Sequence, residues 1–478
     1  MINILINSTY APRFLPHLNF ARSIVKATKD ISFYFYISNE VYAQYRIEVD
    51  NLEFTIVNKP TKYSLVKINK FNKFKNFLKK KIKNYFIVKQ IQKCRKELFN
   101  KIKYTFLFTK KFKEQEKKLL NNLQKNYEEL KKIIQQHKIN ILIISGDRHG
   151  GEEAAFLKIS KKFKIPSIIP YFVFHSFEDH ILKLKWYTKK IKPSIFTSSY
   201  IINSQNNLKY RMVNGKYYYD HPTANALHKF GVMSQNPWVM GSGFSDILCL
   251  NNQSQKKIYI CRGVEKNKIK VVGNIFYDDL YKQYLNKTKV KKNIIQKYKL
   301  NKSKKIIIIS LPPYAEHGFI SWDRQWKELN FLFKNICELN QNILISLHPK
   351  NDKEIYKHLE SKYNVRILEE SLINVLSSAD MFVSEFSTTV EFSILCGVKT
   401  VLIDTVNLNF KHYNFLKSCK IVKKKSYLKN ILAKTLNSKV NFDLDWKNLS
   451  KQKVFDGKTI DRYISLFLEV GQNRKSTN

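Results

Sequence analysis

Short hydrophobic runs alternate with helix-like segments in the second half of the chain. The runs at 343–347, 380–384 and 399–403 consist largely of apolar residues, and each is followed or preceded by a segment with helical periodicity. Strands of this kind are typical of a parallel sheet that helices bury on both faces. The pattern therefore predicts a doubly wound α/β domain.

The first half of the chain shows the same alternation. Helix-like segments separate strand-like runs, and this order predicts a second parallel sheet with right-handed crossovers. We therefore expect an α/β protein with two Rossmann-like domains facing across a cleft. The strand-like runs of the first half are at 1–9, 31–38, 52–58, 141–144 and 167–172.

The expected division of the chain has three parts. Residues 1–230 form the first domain, and residues 231–455, which a strand at 269–272 opens, form the second. Residues 456–478 comprise a helix at 458–468 and a tail, and we expect this helix to cross back to the first domain.

Polar residues follow the predicted strands of the second half at their carboxyl ends, where open α/β sheets bind ligands. His348-Pro349 follows one strand, and Ser387-Thr388-Thr389 follows another and opens a helix. Free N–H groups at a helix start, together with hydroxyl groups, suit a phosphate. Glu391 shares a helix face with Ser387 and Thr388, where a carboxylate suits a ribose diol.

Each of these motifs also has an ordinary structural explanation. Ser and Thr before a helix are usually N-caps, and His-Pro after a strand is usually a turn. Their occurrence together at the ends of strands in one sheet favours a nucleotide site. Further candidates at strand ends are Gly273, Asn274, Glu316 and His317.

In the first half, a polar turn follows the strand at 141–144. Asp147, Arg148, His149 and Glu152 all lie there, again at a carboxyl strand end. Asp147, His149 or Glu152 is the expected proton acceptor for an attacking hydroxyl, with Arg148 balancing charge. The alternative is that Asp147 and Arg148 pair to hold the loop.

The charge of the chain is extreme. Its 478 residues include 85 Lys or Arg and only 38 Asp or Glu, which gives a net charge of +47. An AT-rich genome would produce part of this bias, but the remainder favours anionic partners. The segment 62–120 interleaves many Lys residues with aromatic and aliphatic ones, which is typical either of a helix pair on an anionic membrane or of a solvated insertion.

Other chemistry finds little support in the sequence. The six cysteines have neither a disulfide nor a zinc spacing, and the single Asp-x-Asp motif, at 443–445, does not follow a predicted strand. We therefore expect no metal and no cofactor. The start of the chain has no signal-peptide pattern and no spanning segment is evident, so we expect a cytoplasmic protein.

The motifs Val-Val-Gly-Asn at 271–274, His348-Pro349 and Ser-Thr-Thr-x-Glu at 387–391 resemble those of GT-B nucleotide-sugar glycosyltransferases, particularly bacterial surface-polysaccharide enzymes such as sialyl- and Kdo-transferases. The layout also resembles UDP-N-acetylglucosamine 2-epimerases, with Gly146-Asp147-Arg148 after the fourth strand. The resemblance covers about residues 140–173 and 260–404. It implies that His348 contacts the donor phosphate, that Ser387, Thr388 and Thr389 cap it, and that Glu391 holds the ribose.

The resulting expectation is a metal-independent glycosyltransferase. It would move a sugar from a CMP- or UDP-activated donor in the second domain to a glycan or lipid-linked glycan acceptor in the first, at the inner face of the cytoplasmic membrane. The alternatives are an epimerase and a CDP-glycerol glycerophosphotransferase. A basic nucleic-acid-binding protein is a further alternative, but no nucleic-acid-binding motif supports it.

Overall fold

The computed structural model describes residues 1–58, 88–148, 151–171, 219, 221–234, 236–316, 318, 320–348, 351–385, 387–404, 406, 413–414, 416–449 and 454–473. At 88–111 and at positions 12, 221, 448 and 473 it describes the backbone only. Most of the predicted basic insertion at 62–120 therefore lies outside the described side chains.

In the described residues, seven parallel strands form the first sheet, in the order β3-β2-β1-β4-β5-β6-β7. The central strands are almost wholly buried because helices cover both faces. The strands are β1 Ile2–Ser8, β2 Ile31–Ile37, β3 Thr55–Ile56, β4 Ile141–Ile143, β5 Ser167–Ile169, β6 Ile247–Leu250 and β7 Ile269–Val271.

The helices of this domain include one long helix, which covers residues 88–120 of the predicted insertion and continues to His137. Its second half buries Leu123, Tyr127 and Leu130 in the core, so a basic helix here also has an apolar inner face. The helices are α1 Ala11–Ala27, α2 Asn39–Gln44, α3 Arg46–Asp50, α4 Val88–His137, α5 Glu152–Phe163, α6 His221–Phe230 and α7 Gln253–Cys261.

The described part of the second sheet has six parallel strands in the order β10-β9-β8-β11-β12-β13. The runs predicted at 343–347, 380–384 and 399–403 match three of them, which confirms the parallel sheet. The strands are β8 Ile306–Ser310, β9 Asn342–Ser346, β10 Arg366–Ile367, β11 Met381–Ser384, β12 Lys399–Ile403 and β13 Cys419–Val422.

Helices cover both faces of this sheet as well. In α10, Leu329, Leu332, Phe333 and Ile336 are buried, as their spacing predicts for one apolar face. The helices are α8 Tyr277–Leu285, α9 Lys287–Lys297, α10 Trp322–Cys337, α11 Lys353–Tyr356, α12 His358–Tyr363, α13 Leu372–Val375, α14 Thr389–Leu395, α15 Leu428–Asn437 and α16 Asp443–Leu449. The last helix of the chain is α17 Thr459–Asn473.

The first sheet extends further along the chain than the sequence suggested. The strand expected at 269–272 to open the second domain is β7, which pairs in parallel with β6. Helix α7 makes the short crossover between them, and such a connection keeps neighbouring strands in one sheet. The boundary expected at 230/231 therefore lies inside the first sheet, and the second sheet begins only at β8.

The last helix bridges the two domains. Its first N–H groups, those of Thr459 and Ile460, donate to the carboxylate of Asp278 on α8, each at 2.8 Å. Further along, the rings of Tyr463 and Phe467 pack against Phe20 of α1, with centroids 4.9 and 6.2 Å away. Helix α17 thus starts on the second domain and covers the first sheet.

Candidate functional site

The strand order of each sheet reverses at one point, and chain topology makes this point a ligand crevice. In the first sheet the reversal lies between β1 and β4, and in the second between β8 and β11. The connections leave such strands in opposite directions, so a gap opens outside their carboxyl ends. The segments after β4 and β11, which carry Asp147 and Ser387, lie at these points.

The carboxyl ends of the two sheets meet at a hydrogen bond. Asn251, directly after β6, donates from Nδ2 to Oε2 of Glu391 on α14 at 3.2 Å. Both side chains are buried, with 0% and 1% of their surface exposed. Glu391, the predicted ribose ligand, therefore contacts the opposite domain in this structure.

Further polar groups surround this contact. Gln255 donates to the hydroxyl of Tyr171 at 3.0 Å. Burial, and then the charge of Glu391, raises the pKa of Tyr171 and of Tyr277 well above the usual range. Both hydroxyls therefore stay protonated and can act as hydrogen-bond donors.

Several buried polar atoms at this junction lack a hydrogen-bond partner among the described residues. They are Oδ1 of Asn251, Nδ2 of Asn274 and the hydroxyl of Tyr277. Unpaired buried polar groups are uncommon in folded proteins and call for an explanation such as a bound water or ligand. A ligand that carries both donors and acceptors, as a polyhydroxylated compound does, would match this set.

The Ser-Thr-Thr segment is half-buried after β11. Ser387 accepts a hydrogen bond at Oγ from the Thr389 hydroxyl at 3.0 Å, and its carbonyl accepts one from Tyr413 at 2.5 Å. Its carbonyl also accepts from Val390 N–H at 3.1 Å. These contacts fix the turn that leads into α14.

His348 is half-buried at the end of the strand beside β8. Its backbone N–H donates to Asn351 Oδ1 at 2.7 Å, so the loop rather than the imidazole is held by this bond. Asn351 Nδ2 and the Tyr356 hydroxyl both donate to Oε1 of Glu316 at 2.6 Å. Glu316, predicted to bind the donor, thus ties the loops after β8 and β9 together.

Asp147 has its carboxylate engaged by a neighbouring loop. It accepts hydrogen bonds from the N–H groups of Gly241 at 2.9 Å and Gly243 at 2.8 Å, and from the Ser245 hydroxyl at 2.8 Å. A Cβ on Gly243 would come within 2.3 Å of the Asp147 carbonyl oxygen, which explains the glycine. Asp147 therefore holds the loop at 241–245, and these contacts give no support to its predicted role as proton acceptor.

Arg148 holds the same loop. It donates from Nη1 to the carbonyl of Trp238 at 3.2 Å. The loop-holding alternative considered for Asp147 and Arg148 thus describes what both side chains do, although each bonds to the loop rather than to the other.

The sequence interpretation missed Glu153, the second residue of α5. Its side chain is half-buried, and Oε2 is out of contact with solvent and has no hydrogen-bond partner among the described residues. Burial raises the pKa of Glu153 to about 7; the charge of Arg13 opposes this rise and that of Asp147 adds to it. A carboxyl group with such a pKa suits general base catalysis at neutral pH.

Arg13, on α1, is the second residue that the sequence did not indicate. Its Nη1 donates to the carbonyl of Ser145 at 2.7 Å, so it spans the carboxyl ends of β1 and β4. Together with Tyr171 and Tyr259 it lines a small cavity at this edge. No local pattern marks Arg13 or Glu153, because only the sheet order brings their elements together.

Glu385, directly after β11, is another half-buried acid. Burial, and then the charge of Asp404 after the neighbouring strand, raises its pKa well above the usual range. Its Oε2 has no partner among the described residues. This shift favours the protonated form of the Glu385 carboxyl group.

Gly273 and Asn274, predicted to bind the donor, lie where the chain leaves the first sheet. Gly273 has a φ of +102°, and a Cβ there would be 2.9 Å from Oγ1 of Thr459. Asn274 is fully buried, and its Oδ1 accepts from Phe276 N–H at 3.0 Å. Both residues therefore shape the interdomain junction rather than an open surface.

The remaining predicted residues add few contacts to the site. Glu152 is half-buried at the first position of α5. His149, His317 and Pro349 lie outside the described residues. Asp445 of the Asp-x-Asp motif accepts from the N–H groups of Lys417 at 2.9 Å and Ser418 at 2.6 Å, which is a structural role. Within the described helices, no segment is both long enough and apolar enough to cross a membrane.

Comparison with known proteins gives matches at the level of structure only. No protein-family model matches the sequence, and no curated protein sequence matches it. The UDP-GlcNAc 2-epimerase of Methanocaldococcus jannaschii, solved in complex with UDP-GlcNAc and UDP, has a TM-score of 0.51 at 14% identity, covering 98% of this chain and 100% of that one.

Two further structures are similar to the same extent. The Neisseria meningitidis UDP-GlcNAc 2-epimerase, bound to UDP-GlcNAc, has a TM-score of 0.50 at 11% identity over 98% of this chain and 100% of that one. A spinosyn forosaminyltransferase has a TM-score of 0.50 at 9% identity, with 98% and 99% covered. These matches confirm the predicted α/β fold with two Rossmann-like domains in the GT-B arrangement.

Proposed function

We propose that the chain is a glycosyltransferase that moves a sugar from a CMP- or UDP-activated donor to a hydroxyl of a bacterial surface polysaccharide or lipopolysaccharide. The observation that carries the proposal is the junction at Asn251 and Glu391, where the carboxyl ends of two parallel sheets face each other. Ligands of such sheets bind at this edge. The unpaired polar atoms at the junction suit a polyhydroxylated ligand.

In this proposal the second domain holds the donor. His348 and the Ser387-Thr388-Thr389 segment contact its phosphates, and Glu391 holds the ribose diol. Because Glu391 is buried against Asn251 here, the ribose would replace Asn251 as its partner when the domains separate to admit the nucleotide. No metal or organic cofactor is part of the proposal; the imidazole and hydroxyl groups stabilise the departing phosphate.

Glu153 is the proposed proton acceptor on the first domain. The acceptor oxygen forms a bond to the anomeric carbon, the bond from this carbon to the phosphate oxygen breaks, and the acceptor's proton passes to Glu153. The nucleotide leaves with the electron pair of the broken bond. A pKa of about 7 keeps a substantial fraction of Glu153 ionised at neutral pH while leaving it basic enough to take the proton.

The competing function is an epimerase on the same fold, which the solved epimerases of similar structure favour. Inverting a carbon centre requires proton removal on one face of the sugar and proton return on the other, whereas transfer needs one acceptor group, which Glu153 supplies. We therefore place transfer first. A CDP-glycerol glycerophosphotransferase is a third possibility from the sequence.

The test is incubation with radiolabelled UDP-, CMP- and CDP-activated donors, with and without glycan acceptors. Transfer predicts label in the acceptor and nucleotide release that depends on it. Conversion of the donor sugar without any acceptor would identify an epimerase, and label arriving from CDP-glycerol would identify a glycerophosphotransferase; either result contradicts the proposal.

The proposal includes contact with an anionic membrane surface through the basic segment at 62–120. The motivation is its Lys-rich and aromatic sequence. Deleting residues 70–111 should abolish flotation of the protein with anionic liposomes. It should leave flotation with neutral liposomes unchanged. Unchanged flotation of the deletion variant would reject the membrane contact without affecting the proposed transfer.

A further inference from the structure

A partly exposed group of aromatic rings lies beside the loops of the second domain that follow β8 and β9: Trp322 and His358 are exposed, Trp326 is half-buried and Tyr356 is fully buried. It consists of Trp322 and Trp326 on α10, Tyr356 on α11 and His358 on α12, and we call it the aromatic platform. The two indole rings stack at a centroid distance of 5.9 Å and an angle of 28°. Trp322 keeps 37% of its surface exposed, although it is a large apolar side chain.

The platform is rigid because its lower rings are packed and hydrogen-bonded. Trp326 contacts the ring of Tyr356 at 5.4 Å and that of His358 at 4.9 Å. The Tyr356 hydroxyl donates to Glu316 at 2.6 Å and accepts from Gln325 Nε2, also at 2.6 Å. An aromatic surface held in this way loses little side-chain freedom when a ligand covers it.

The same hydrogen bonds connect the platform to the proposed donor site. Glu316 also accepts from Asn351, and Asn351 holds the backbone N–H of His348 at 2.7 Å. Since His348 is the proposed phosphate ligand, a molecule on the platform lies on the same carboxyl side of the second sheet as the departing nucleotide.

The surroundings of Trp322 fit a sugar ring better than a protein. Only Trp322 and His358 of the four rings are exposed, so the exposed aromatic surface is small, and the two residues that follow Trp322 on α10, Asp323 and Arg324, are exposed and charged. A stable protein interface buries about 800 Å² on each partner with a largely apolar centre. A pyranose ring offers one face of C–H bonds to the electron-rich face of an indole and hydroxyls at its edge.

We propose that the aromatic platform binds a pyranose ring of the acceptor glycan, stacked on Trp322. This inference rests on the proposed glycosyl transfer and names the part of the second domain that holds the acceptor beyond the reacting hydroxyl. Trp322 is a positioning residue for the acceptor and takes no part in proton transfer.

Saturation-transfer NMR with selective irradiation of aromatic protons tests this on the full chain. The probes are maltotetraose, chitotetraose and a sialylated trisaccharide, with UMP as the nucleotide probe. We expect transfer to the ring C–H protons of at least one oligosaccharide. Trp322→Ala should weaken that binding about fivefold to tenfold, the effect of losing one stacked aromatic contact, and Trp322→Phe should restore most of it.

Tyr427→Ala is the matched control, since Tyr427 is an exposed aromatic of the same domain, with 54% of its surface exposed. It should leave the signal unchanged. Absence of transfer to every oligosaccharide, equal signals in wild type and Trp322→Ala, or transfer that only UMP shows would overturn the inference.

Calorimetric titration with UDP and CMP separates this result from a failure of the proposed function. If nucleotide binding persists in wild type and in Trp322→Ala while no sugar contact is seen, the platform assignment fails alone. If wild type binds neither nucleotide, the proposed donor site fails as well. Circular dichroism confirms that each variant is folded.

Discussion

Replacing Glu153 by Gln should stabilise the protein at alkaline pH and abolish its activity. The amide keeps the shape of the side chain but removes the charge that burial disfavours. Burial raises the pKa of Glu153 to about 7 from its ordinary value of 4.5. The group is therefore held in the folded protein at a cost, as is common for catalytic acids and bases.

The size and the pH range of the effect follow from linkage. Below about pH 4.5 Glu153 is protonated in both the folded and the unfolded protein, so it contributes no difference. Between about 4.5 and 7 the unfolded chain loses this proton first, and the free energy of unfolding falls as the pH rises. Above about pH 7 the penalty is complete, and at about 1.4 kcal/mol per pH unit it amounts to roughly 3 kcal/mol.

The assay is urea unfolding of wild type and Glu153→Gln at about pH 4 and about pH 8. The variant should gain up to about 3 kcal/mol at the higher pH and little at the lower one. Glu152→Gln is the matched control, because it removes a charge from the same first turn and loses the same interaction with the helix dipole, about 0.3–1 kcal/mol.

Activity completes this test. Transfer should fall about 100-fold or more in Glu153→Gln, and wild-type activity should rise with pH through about 7 as the carboxyl group ionises. Equal stability of Glu153→Gln and wild type at about pH 8 would refute the argument from burial. Normal turnover by a folded Glu153→Gln variant would refute its role as a base.

Three further predictions concern other residues. His348→Ala should bind UDP or CMP about tenfold more weakly by calorimetry. The bond from its backbone N–H to Asn351 does not involve the imidazole, and circular dichroism checks that the variant is folded; normal turnover would reject the phosphate contact. Asn251→Ala should lower the unfolding free energy by about 1–3 kcal/mol, because it removes a partner of buried Glu391. The variant should still bind UDP at least as well as wild type. Weaker binding would contradict the proposal that the ribose replaces Asn251 as the partner of Glu391. Burial lowers the pKa of His17 to about 3 from 6.5, so the unfolded chain takes up a proton first as the pH falls. The free energy of unfolding of wild type should therefore fall by up to about 5 kcal/mol between about pH 6.5 and 3. Urea unfolding of His17→Asn should not show this loss.

The Glu391 contact shows why only part of the site could be predicted from the sequence. Glu391 lies one turn into a helix that follows a strand, which is a local property of the sequence. Its candidacy could therefore be predicted from residue spacing alone. That the carboxylate is buried against Asn251, about 140 residues earlier in the chain, depends on how two sheets face each other. The same holds for Asp147, whose partners Gly241, Gly243 and Ser245 come from a loop about 95 residues later.

The sequence by itself determined the two parallel sheets, because burial on both faces forces the strands to be apolar and the crossovers to be amphipathic. It also placed His348 and the Ser387-Thr388-Thr389 segment at strand ends. Only the tertiary structure decided that β6 and β7 belong to the first sheet, since apolar strands carry no label for the sheet they join. It alone brought Arg13 and Glu153 to one edge, because the reversal of strand order between β1 and β4 joins segments far apart in the chain.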